Sequence, residues 1–368
     1  MRNKLGSAWA LNFFALLVVI LINPGAVAAQ DQPTIIKDSI HISAWTNNSY
    51  KGDYDVWSWV PKIEFRVNGP IPSGSQLSVE FAQPGAAAPW LTFDCETGEV
   101  QKGYWWKTEC GGRQVEDKSI TAVGPVTFAI KMRNELGGTK STIFTGKIKA
   151  AKTLSNEHGP KAAKKFVYYV DQDWTLPIGY VFYTKDGVYG WQYPSFNVAF
   201  WVRGEAVRFD PHLFYQGKEI GRLFSDGTQI GKAGCGSVVD IGTTHFVNDA
   251  MPQKAKWSLV ECNFPIVKQW DKTEGGQPNS KEMFMMASNP GEYEFKLLWN
   301  NKLSRTIKFT VGPDGKLENG VAPANKLGND RVIVPVTIIG DQDGQWDRLA
   351  WKTDAFYGNP LTGFTPPQ

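Results

Sequence analysis

Residues 125–145 read PVTFAIKMRNELGGTKSTIFT, and residues 290–310 read PGEYEFKLLWNNKLSRTIKFT. The two segments align without a gap: large apolar or aromatic side chains stand three, five and seven positions after the proline, and both segments end in Phe-Thr. Alternation with a period of two predicts a strand with one buried face, and the Gly-Gly or Asn-Asn pair in the middle predicts a tight reversal. Each segment is therefore predicted to form a β-hairpin.

A second pair of matching segments lies upstream of the hairpins. FRVNG at 65–69 corresponds to FWVRG at 200–204, and an aromatic patch precedes each, WSW at 57–59 and WQY at 191–193. Matching anchors that recur in the same order indicate an internal duplication.

A tryptophan followed closely by a cysteine forms the third anchor. Trp106 stands four residues before Cys110, and Trp257 stands five residues before Cys262. A tryptophan beside a cystine resembles the core of immunoglobulin-like sandwiches, and the resemblance is to the fold alone. The short spacing between Cys95 and Cys110 departs from that pattern, in which the bridge joins distant strands of two sheets.

The duplication predicts an all-β chain of two tandem immunoglobulin-like β-sandwich domains. The predicted domains are residues 30–150 and 166–315, joined by a polar linker at 151–165. Residues 316–368 are predicted to form a short C-terminal β extension that packs on the second domain, or the opening strands of a truncated third repeat. Within it, Pro335 suggests an edge position for a strand-like run.

The first 29 residues are predicted to be a signal peptide. A short cationic start precedes the apolar run Ala8–Ile22, and small residues at Ala26-Val27-Ala28 form a cleavage site. The run is shorter than the roughly 20 residues that span a bilayer, so we expect no membrane insertion after the signal is removed. These features predict a secreted, periplasmic or cell-surface protein, of bacterial type.

Four cysteines remain after signal removal: Cys95, Cys110, Cys235 and Cys262. Four cysteines allow three pairings, and the repeat favours Cys95–Cys110 and Cys235–Cys262. A structural zinc site would require closely spaced cysteine pairs, which this sequence lacks.

The charge balance argues against a nucleic-acid partner. The full chain carries a formal charge of +3, and removal of Arg2 and Lys4 lowers it to +1. A nearly neutral chain exerts no long-range attraction on nucleic acid or anionic lipid.

The chain is rich in tryptophan, with 15 residues. Trp106 has a counterpart in the second copy and is predicted to lie in the core, so Trp105 should face outward, with Tyr104 in the same patch. Trp201 matches Arg66 of the first copy and should also face outward. Such aromatics could bind a carbohydrate or a cell-surface protein, or could instead pack between the two domains.

Asp341, Asp343 and Asp347 resemble the start of a calcium-binding loop because alternate carboxylates can converge on one cation. Position twelve of that loop is Lys352 instead of the bidentate glutamate of an EF-hand. An ordinary Asp/Gly turn is the alternative.

Catalysis finds little support in the sequence. The histidines His41, His158, His212 and His245 are scattered and form no known metal or nucleophile motif. We therefore expect no cofactor and predict an exported noncatalytic protein that recognises a surface glycan or a protein partner through exposed aromatics. The alternatives are a structural or scaffold subunit of a cell-envelope assembly and a secreted hydrolase acting on polysaccharide.

Overall fold

The computed structural model describes residues 33–69, 71, 74–101, 105–134, 138–155, 165–184, 195–222, 234–244, 255–268, 284–327 and 331–367. Of the described residues, 55% lie in strands and 11% in helices, which confirms the predicted all-β class. The predicted signal peptide lies outside the described residues. In the described part of the chain, no helix is long and apolar enough to cross a membrane.

Nineteen strands form within the described residues. In chain order they are β1 (Thr34–Ile35), β2 (His41–Asn47), β3 (Ser58–Asn68), β4 (Gln76–Ala82), β5 (Leu91–Asp94), β6 (Glu96–Gln101), β7 (Trp105–Gly111), β8 (Gly124–Arg133), β9 (Ser141–Leu154), β10 (Phe166–Val170), β11 (Ile178–Tyr183), β12 (Ser195–Arg203), β13 (Phe209–Tyr215), β14 (Lys218–Arg222), β15 (Gly234–Thr244), β16 (Trp257–Val267), β17 (Gly291–Trp299), β18 (Lys302–Val311) and β19 (Val332–Ile338). The helices are α1 (Ala322–Asn325), α2 (Ala355–Gly358) and the 3-10 turns Lys37–Ser39, Gly112–Lys118, Asp173–Thr175, Met286–Ser288 and Ala350–Lys352.

The strands form two sheets. The smaller sheet has the order β10-β9-β8-β4-β5. The larger sheet has the order β14-β13-β17-β18-β19-β11-β12-β16-β15-β2-β3-β7-β6, with β1 added beside β3. We refer to β1–β10 as the first half and to β11–β19 as the second half.

Both predicted hairpins are present. β8 pairs with β9 and β17 pairs with β18, each antiparallel. The alternation works as expected, because Phe128 and Ile130 in β8 and Tyr293 and Phe295 in β17 are buried while their neighbours are more exposed.

The other matched segments also take corresponding places. β3 pairs with β7, and β12 pairs with β16, both antiparallel. Cys110 lies opposite Ile63 and Cys262 lies opposite Val198, and each of these partners stands two residues before the matched phenylalanine.

Both disulfides join the predicted partners. Cys95 is bonded to Cys110 across 15 residues of sequence, and Cys235 is bonded to Cys262 across 27. Cys235 and Cys262 are direct cross-strand partners on β15 and β16.

The strand ends differ from the predicted boundaries. β9 extends to Leu154, into the predicted linker, and pairs with β10, whose residues belong to the predicted second domain. Residues 156–164 lie outside the described residues. Thus Phe166–Val170 extends the sheet of the first half by a strand that returns along β9.

The C-terminal segment contributes a strand that lies between β18 and β11 in the order of the larger sheet, although each of its two parts pairs on one side only. Residues 332–335 of β19 pair with β11, and residues 336–338 pair with β18. The strand changes partner at Pro335, where the missing N–H of proline interrupts neither ladder. β19 therefore completes the sheet of the second half.

Buried apolar side chains of the described residues form two hydrophobic cores. The second core lies between β12 and β16 on one side and β17, β18 and β19 on the other. The first core fills the space between the two sheets of the first half and continues onto the opposite face of β11, β12 and β16. Parallel pairing of β2 with β15, from Ser43–Gly242 to Trp45–Thr244, also joins the halves.

Candidate functional site

An open groove of ≈ 480 Å³ lies on the first half. One wall is the loop 83–89, the base is formed by β4, β8 and β9, and the other wall is formed by α2 and Asn359. Its lining residues are Glu80, Ala82, Ala86, Ala87, Ala88, Pro89, Thr127, Phe128, Ala129, Thr145, Gly146, Lys147, Tyr357, Gly358 and Asn359.

Strand register explains the base of the groove. Ala129 lies between Glu80 on β4 and Thr145 on β9, so these three side chains share one face of the smaller sheet. Two residues along β8, Thr127 lies between Ala82 on β4 and Lys147 on β9, and these side chains lie on the same face of the sheet. Apart from Glu80 and Lys147, the side chains on this face are alanines and threonines. Because these side chains are short, a ligand can approach the backbone closely.

Trp90 anchors the loop wall. Its indole N–H donates a hydrogen bond to the Lys118 carbonyl at 3.2 Å, and its ring packs edge-on against Trp59 at 5.6 Å. The loop residues before it, through Pro89, are exposed, and Gly85 turns the chain with φ of 76°. Trp90 thus fixes the end of the loop, and the alanines that precede it are exposed to solvent.

The opposite wall has an unusual backbone. Phe356 and Tyr357 have φ of 48° and 60°, followed by Gly358 at 86°. Non-glycine residues in the left-handed region cost about 1–3 kcal/mol each, and such strain is found mainly where surrounding structure maintains it at functional sites. The wall of the groove is therefore a strained turn held by its neighbours.

Buried contacts hold this turn. The Tyr357 hydroxyl accepts a hydrogen bond from the Ile42 N–H at 2.9 Å and donates one to the Ile40 carbonyl at 3.0 Å. Burial raises the pKa of this phenol, so it stays protonated at neutral pH. Trp174 packs against the rings of Phe356 at 5.3 Å and Tyr357 at 5.4 Å.

Ion pairs neutralise the charges at the groove. Glu80 pairs with Lys131 at 2.7 Å, and Lys147 pairs with Asp354 at 3.0 Å. The Asn359 amide donates to the Thr145 carbonyl at 3.2 Å, which ties the end of α2 to β9. The groove thus presents paired charges and polar groups around a base of small side chains.

The predicted aromatic sites occupy different environments. Trp201 is only 3% exposed and belongs to the first core, with its ring 5.9 Å from that of His41. It does lie on the opposite face of β12 from Phe200, as alternation requires, but the first half covers that face. The structure thus places Trp201 between the halves, the packing alternative raised by the sequence. Tyr104 and the side chain of Trp105 lie outside the described residues.

The predicted calcium ligands do not converge. Asp343 is buried and accepts hydrogen bonds from the Arg305 guanidinium at 2.6 Å and from the Arg203 N–H at 2.9 Å. Asp347 caps the turn that follows it by accepting from the Leu349 N–H at 2.9 Å. In the parts of the chain that the structure describes, no three His, Cys, Asp or Glu residues form a metal-binding group.

The two Asp-Gln-Asp motifs have related roles. Asp171-Gln172-Asp173 follows β10, and Asp341-Gln342-Asp343 follows β19. In each motif the last aspartate is buried beside an arginine: Asp343 against Arg305, and Asp173 with its Oδ1 3.6 Å from Arg203 Nη1.

A glutamate stands directly before Cys110 and before Cys262, and both of these glutamates lie beside basic residues. Glu109 pairs with Lys62 at 2.9 Å, and Glu261 lies 3.8 Å from Arg331. Burial raises the pKa of Glu261, and the Arg331 charge opposes that shift. These contacts give both glutamates a structural partner within their own half.

Of the four histidines, the structure describes His41 and His212. His41 contacts Trp201, whereas His212 Nδ1 lies 2.6 Å from the Glu219 carboxylate on the outer face of β13. His158 and His245 lie outside the described residues.

Comparison with known proteins gives no assignment: no family model matches this chain, and no curated protein matches its sequence.

Sequence reasoning did not identify the groove. Its base combines small residues with Glu80 and Lys147, which come from different strands and form no sequence motif, and its C-terminal wall depends on backbone conformation. The available signal was the segment PGAAAPW at 84–90, in which small residues are followed by an anchoring tryptophan.

Proposed function

We propose that this chain is an exported noncatalytic recognition protein whose ligand, a surface glycan or a segment of a protein partner, occupies the groove between the loop 83–89 and α2. The groove carries the proposal: it is open, has a volume of ≈ 480 Å³, and lies beside a strained turn. Concave sites of a few hundred Å³ with a few polar groups are the usual form of ligand sites in proteins.

We further infer that the chain forms two immunoglobulin-like sandwiches in tandem and is located outside the cytoplasm. Two immunoglobulin-like sandwiches in tandem would place loops and turns at accessible edges, where recognition residues commonly lie. Two disulfides are compatible with an oxidising compartment outside the cytoplasm, such as the periplasm or the cell exterior.

Recognition through the groove differs from the recognition by exposed aromatic side chains that the sequence predicts. Trp201 is buried, so a stacking platform on that residue is not part of the proposal. The groove instead offers threonine hydroxyls, the Asn359 side-chain carbonyl and paired charges as hydrogen-bonding groups beside small alanine side chains. A ligand with many hydroxyl or amide groups fits that chemistry.

A binding experiment with matched variants tests the proposal. The mature chain is screened on an array of bacterial surface polysaccharides and against immobilised envelope proteins. Ala87→Trp places a bulky ring in the groove, and Ala324→Trp makes the same change on exposed α1, away from it. We expect Ala87→Trp to weaken binding to the positive probe more than tenfold and Ala324→Trp to leave it unchanged. Equal binding by both variants would place the ligand elsewhere.

One observation favours a second candidate function, a structural or scaffold subunit. Parallel pairing of β2 with β15 and the burial of Trp201 connect the two halves through backbone and core contacts. Domains joined in this way suit a rigid spacer. A chain that binds no probe and co-purifies with an envelope assembly would support this candidate instead.

A further inference from the structure

The groove has an acidic side chain on one side of its base and a basic side chain on the other. Among the lining residues, Glu80 on β4 and Lys147 on β9 carry a charge. β8 separates these two strands and contributes Ala129 and Thr127 to the base. Opposite charges therefore face each other across short, uncharged side chains.

The counterions of both side chains lie outside the lining of the groove. Lys131 of β8 pairs with Glu80 Oε2 at 2.7 Å, and Asp354, which precedes α2, pairs with Lys147 at 3.0 Å. From Lys131 to Asp354 the charges thus alternate in sign, and the groove lies between the two pairs. A ligand with its positive end toward Glu80 and its negative end toward Lys147 continues this alternation.

Both charged groups of the groove are accessible to a ligand. The Glu80 side chain is 23% exposed and the Lys147 side chain is 50% exposed. An ammonium has three N–H donors, so Lys147 can keep its pair with Asp354 and still bind a carboxylate. The pair with Lys131 uses one of the two carboxylate oxygens of Glu80. Each charge can therefore bind a ligand without losing its counterion.

The polar groups between the two charges favour a ligand with N–H donors. The Thr127 hydroxyl donates to the Ala82 carbonyl at 3.3 Å, so its oxygen is oriented as an acceptor for another group. The Asn359 side-chain NH₂ donates to the Thr145 carbonyl at 3.2 Å, and the side-chain carbonyl then acts as an acceptor. The amide N–H groups of a peptide backbone match these acceptors.

Strand geometry limits the length of the ligand. Neighbouring strands are about 4.8 Å apart and alternate residues of a strand about 7 Å apart, so the Cα positions of Glu80 and Lys147 are separated by roughly 12 Å. Both side chains extend from these positions into the lining of the groove. An extended peptide of two or three residues spans about 7–10 Å, which fits between the two charged groups.

We propose that the groove binds a short zwitterionic peptide, with the ammonium group of the peptide at Glu80 and its carboxylate at Lys147. The opposite charges on the two sides of the base and the acceptors between them carry this inference. It rests on the proposed function, because it names the ligand class of the same groove.

Titration of the mature chain with triglycine and its capped forms tests the inference. Triglycine carries both end charges, N-acetyl-triglycine lacks the ammonium, and triglycine amide lacks the carboxylate. We expect each cap to weaken binding roughly three- to fivefold, as for the loss of one exposed ion pair. Raising the ionic strength from about 0.05 M to about 1 M should weaken triglycine binding, because salt screens exposed charges.

Variants of the two side chains assign each end of the peptide to its partner. Glu80→Gln should remove the difference between triglycine and N-acetyl-triglycine, and Lys147→Gln should remove the difference between triglycine and triglycine amide. Glu294→Gln and Lys308→Gln are the matched controls, because these residues form a cross-strand pair of opposite charge on β17 and β18 of the second half. Both differences should persist in the controls.

The outcomes separate this inference from the proposed function. Equal affinities for triglycine and both capped forms, no detectable binding of triglycine, or cap effects that persist in Glu80→Gln and Lys147→Gln would each overturn the zwitterionic ligand. If a neutral polysaccharide protects residues 127–129 and 145–147 from hydrogen exchange while triglycine does not bind, the proposed function stands and this inference is refuted. If triglycine binds and protects only segments outside the groove, both are refuted.

Discussion

Replacing Arg305 by methionine is the sharpest test of how the second half is held together. The Arg305 side chain is fully buried, and the paired Asp343 side chain is 2% exposed. Arg305 also donates a hydrogen bond to the Trp201 carbonyl at 3.1 Å and another to the Ser304 hydroxyl at 2.6 Å. Its guanidinium thus connects β18, β12 and the turn after β19.

The methionine substitution keeps most of the aliphatic volume but leaves the Asp343 carboxylate buried with only the Arg203 N–H as a donor among the described contacts. Breaking a buried pair in this way costs about 3–5 kcal/mol. Urea denaturation of the mature chain, followed by tryptophan fluorescence, measures the change in the free energy of unfolding.

Two comparisons make this result specific. Lys316→Met breaks an exposed pair with Asp314, which water and salt screen, and should leave the free energy of unfolding unchanged within the error of the measurement. The double change Arg305→Met with Asp343→Leu removes both buried charges and should recover part of the loss. A single Arg305→Met variant within 1 kcal/mol of wild type would refute the reasoning.

Three further variants probe packing and cross-links, each followed by calorimetry of the mature chain. Gly146→Ala places a Cβ 2.5 Å from a phenylalanine ring atom and should destabilise the fold by about 1–3 kcal/mol, whereas Gly236→Ala enters open space and should not; equal effects would contradict the packing around the groove. Replacing Cys95 and Cys110 by alanine should cost about 3 kcal/mol, as expected for a loop of 15 residues, and no loss would show that this bridge adds no stability. Trp201→Ala should cost about 3–5 kcal/mol because the side chain is buried, and an unchanged melting temperature would favour the exposed platform.

Local patterns predicted the parts of the fold that depend on local contacts. The hairpins followed from alternation in β8 and β17, and the two disulfides followed from the recurring cysteine positions. The hairpins and disulfides each join residues that are at most a few dozen positions apart, so they can be predicted from a single sequence.

Long-range pairing could not be read in the same way. Alternation correctly placed Trp201 opposite Phe200, but a period of two says nothing about what covers that face. The partner change of β19 at Pro335 depends on strands more than 20 residues away along the chain. Pro335 indicated an edge position, and only the tertiary structure shows that the strand changes partner there.

The candidate site was the least predictable feature. Its base combines alanines and threonines with Glu80 and Lys147, and its C-terminal wall places Phe356 and Tyr357 in a backbone region that side chains of their kind rarely adopt. Propensity predicts against that conformation, and the contacts that stabilise it come from Ile40, Ile42 and Trp174, at least 180 residues earlier.

Mapping where a bound probe protects the chain tests the recognition groove most directly. Hydrogen exchange is compared with and without the polysaccharide or envelope protein that gives the strongest signal. We predict that protection is concentrated in residues 83–89, 127–129, 145–147 and 357–359. Protection confined to other parts of the chain, with these four segments unchanged, would contradict the account.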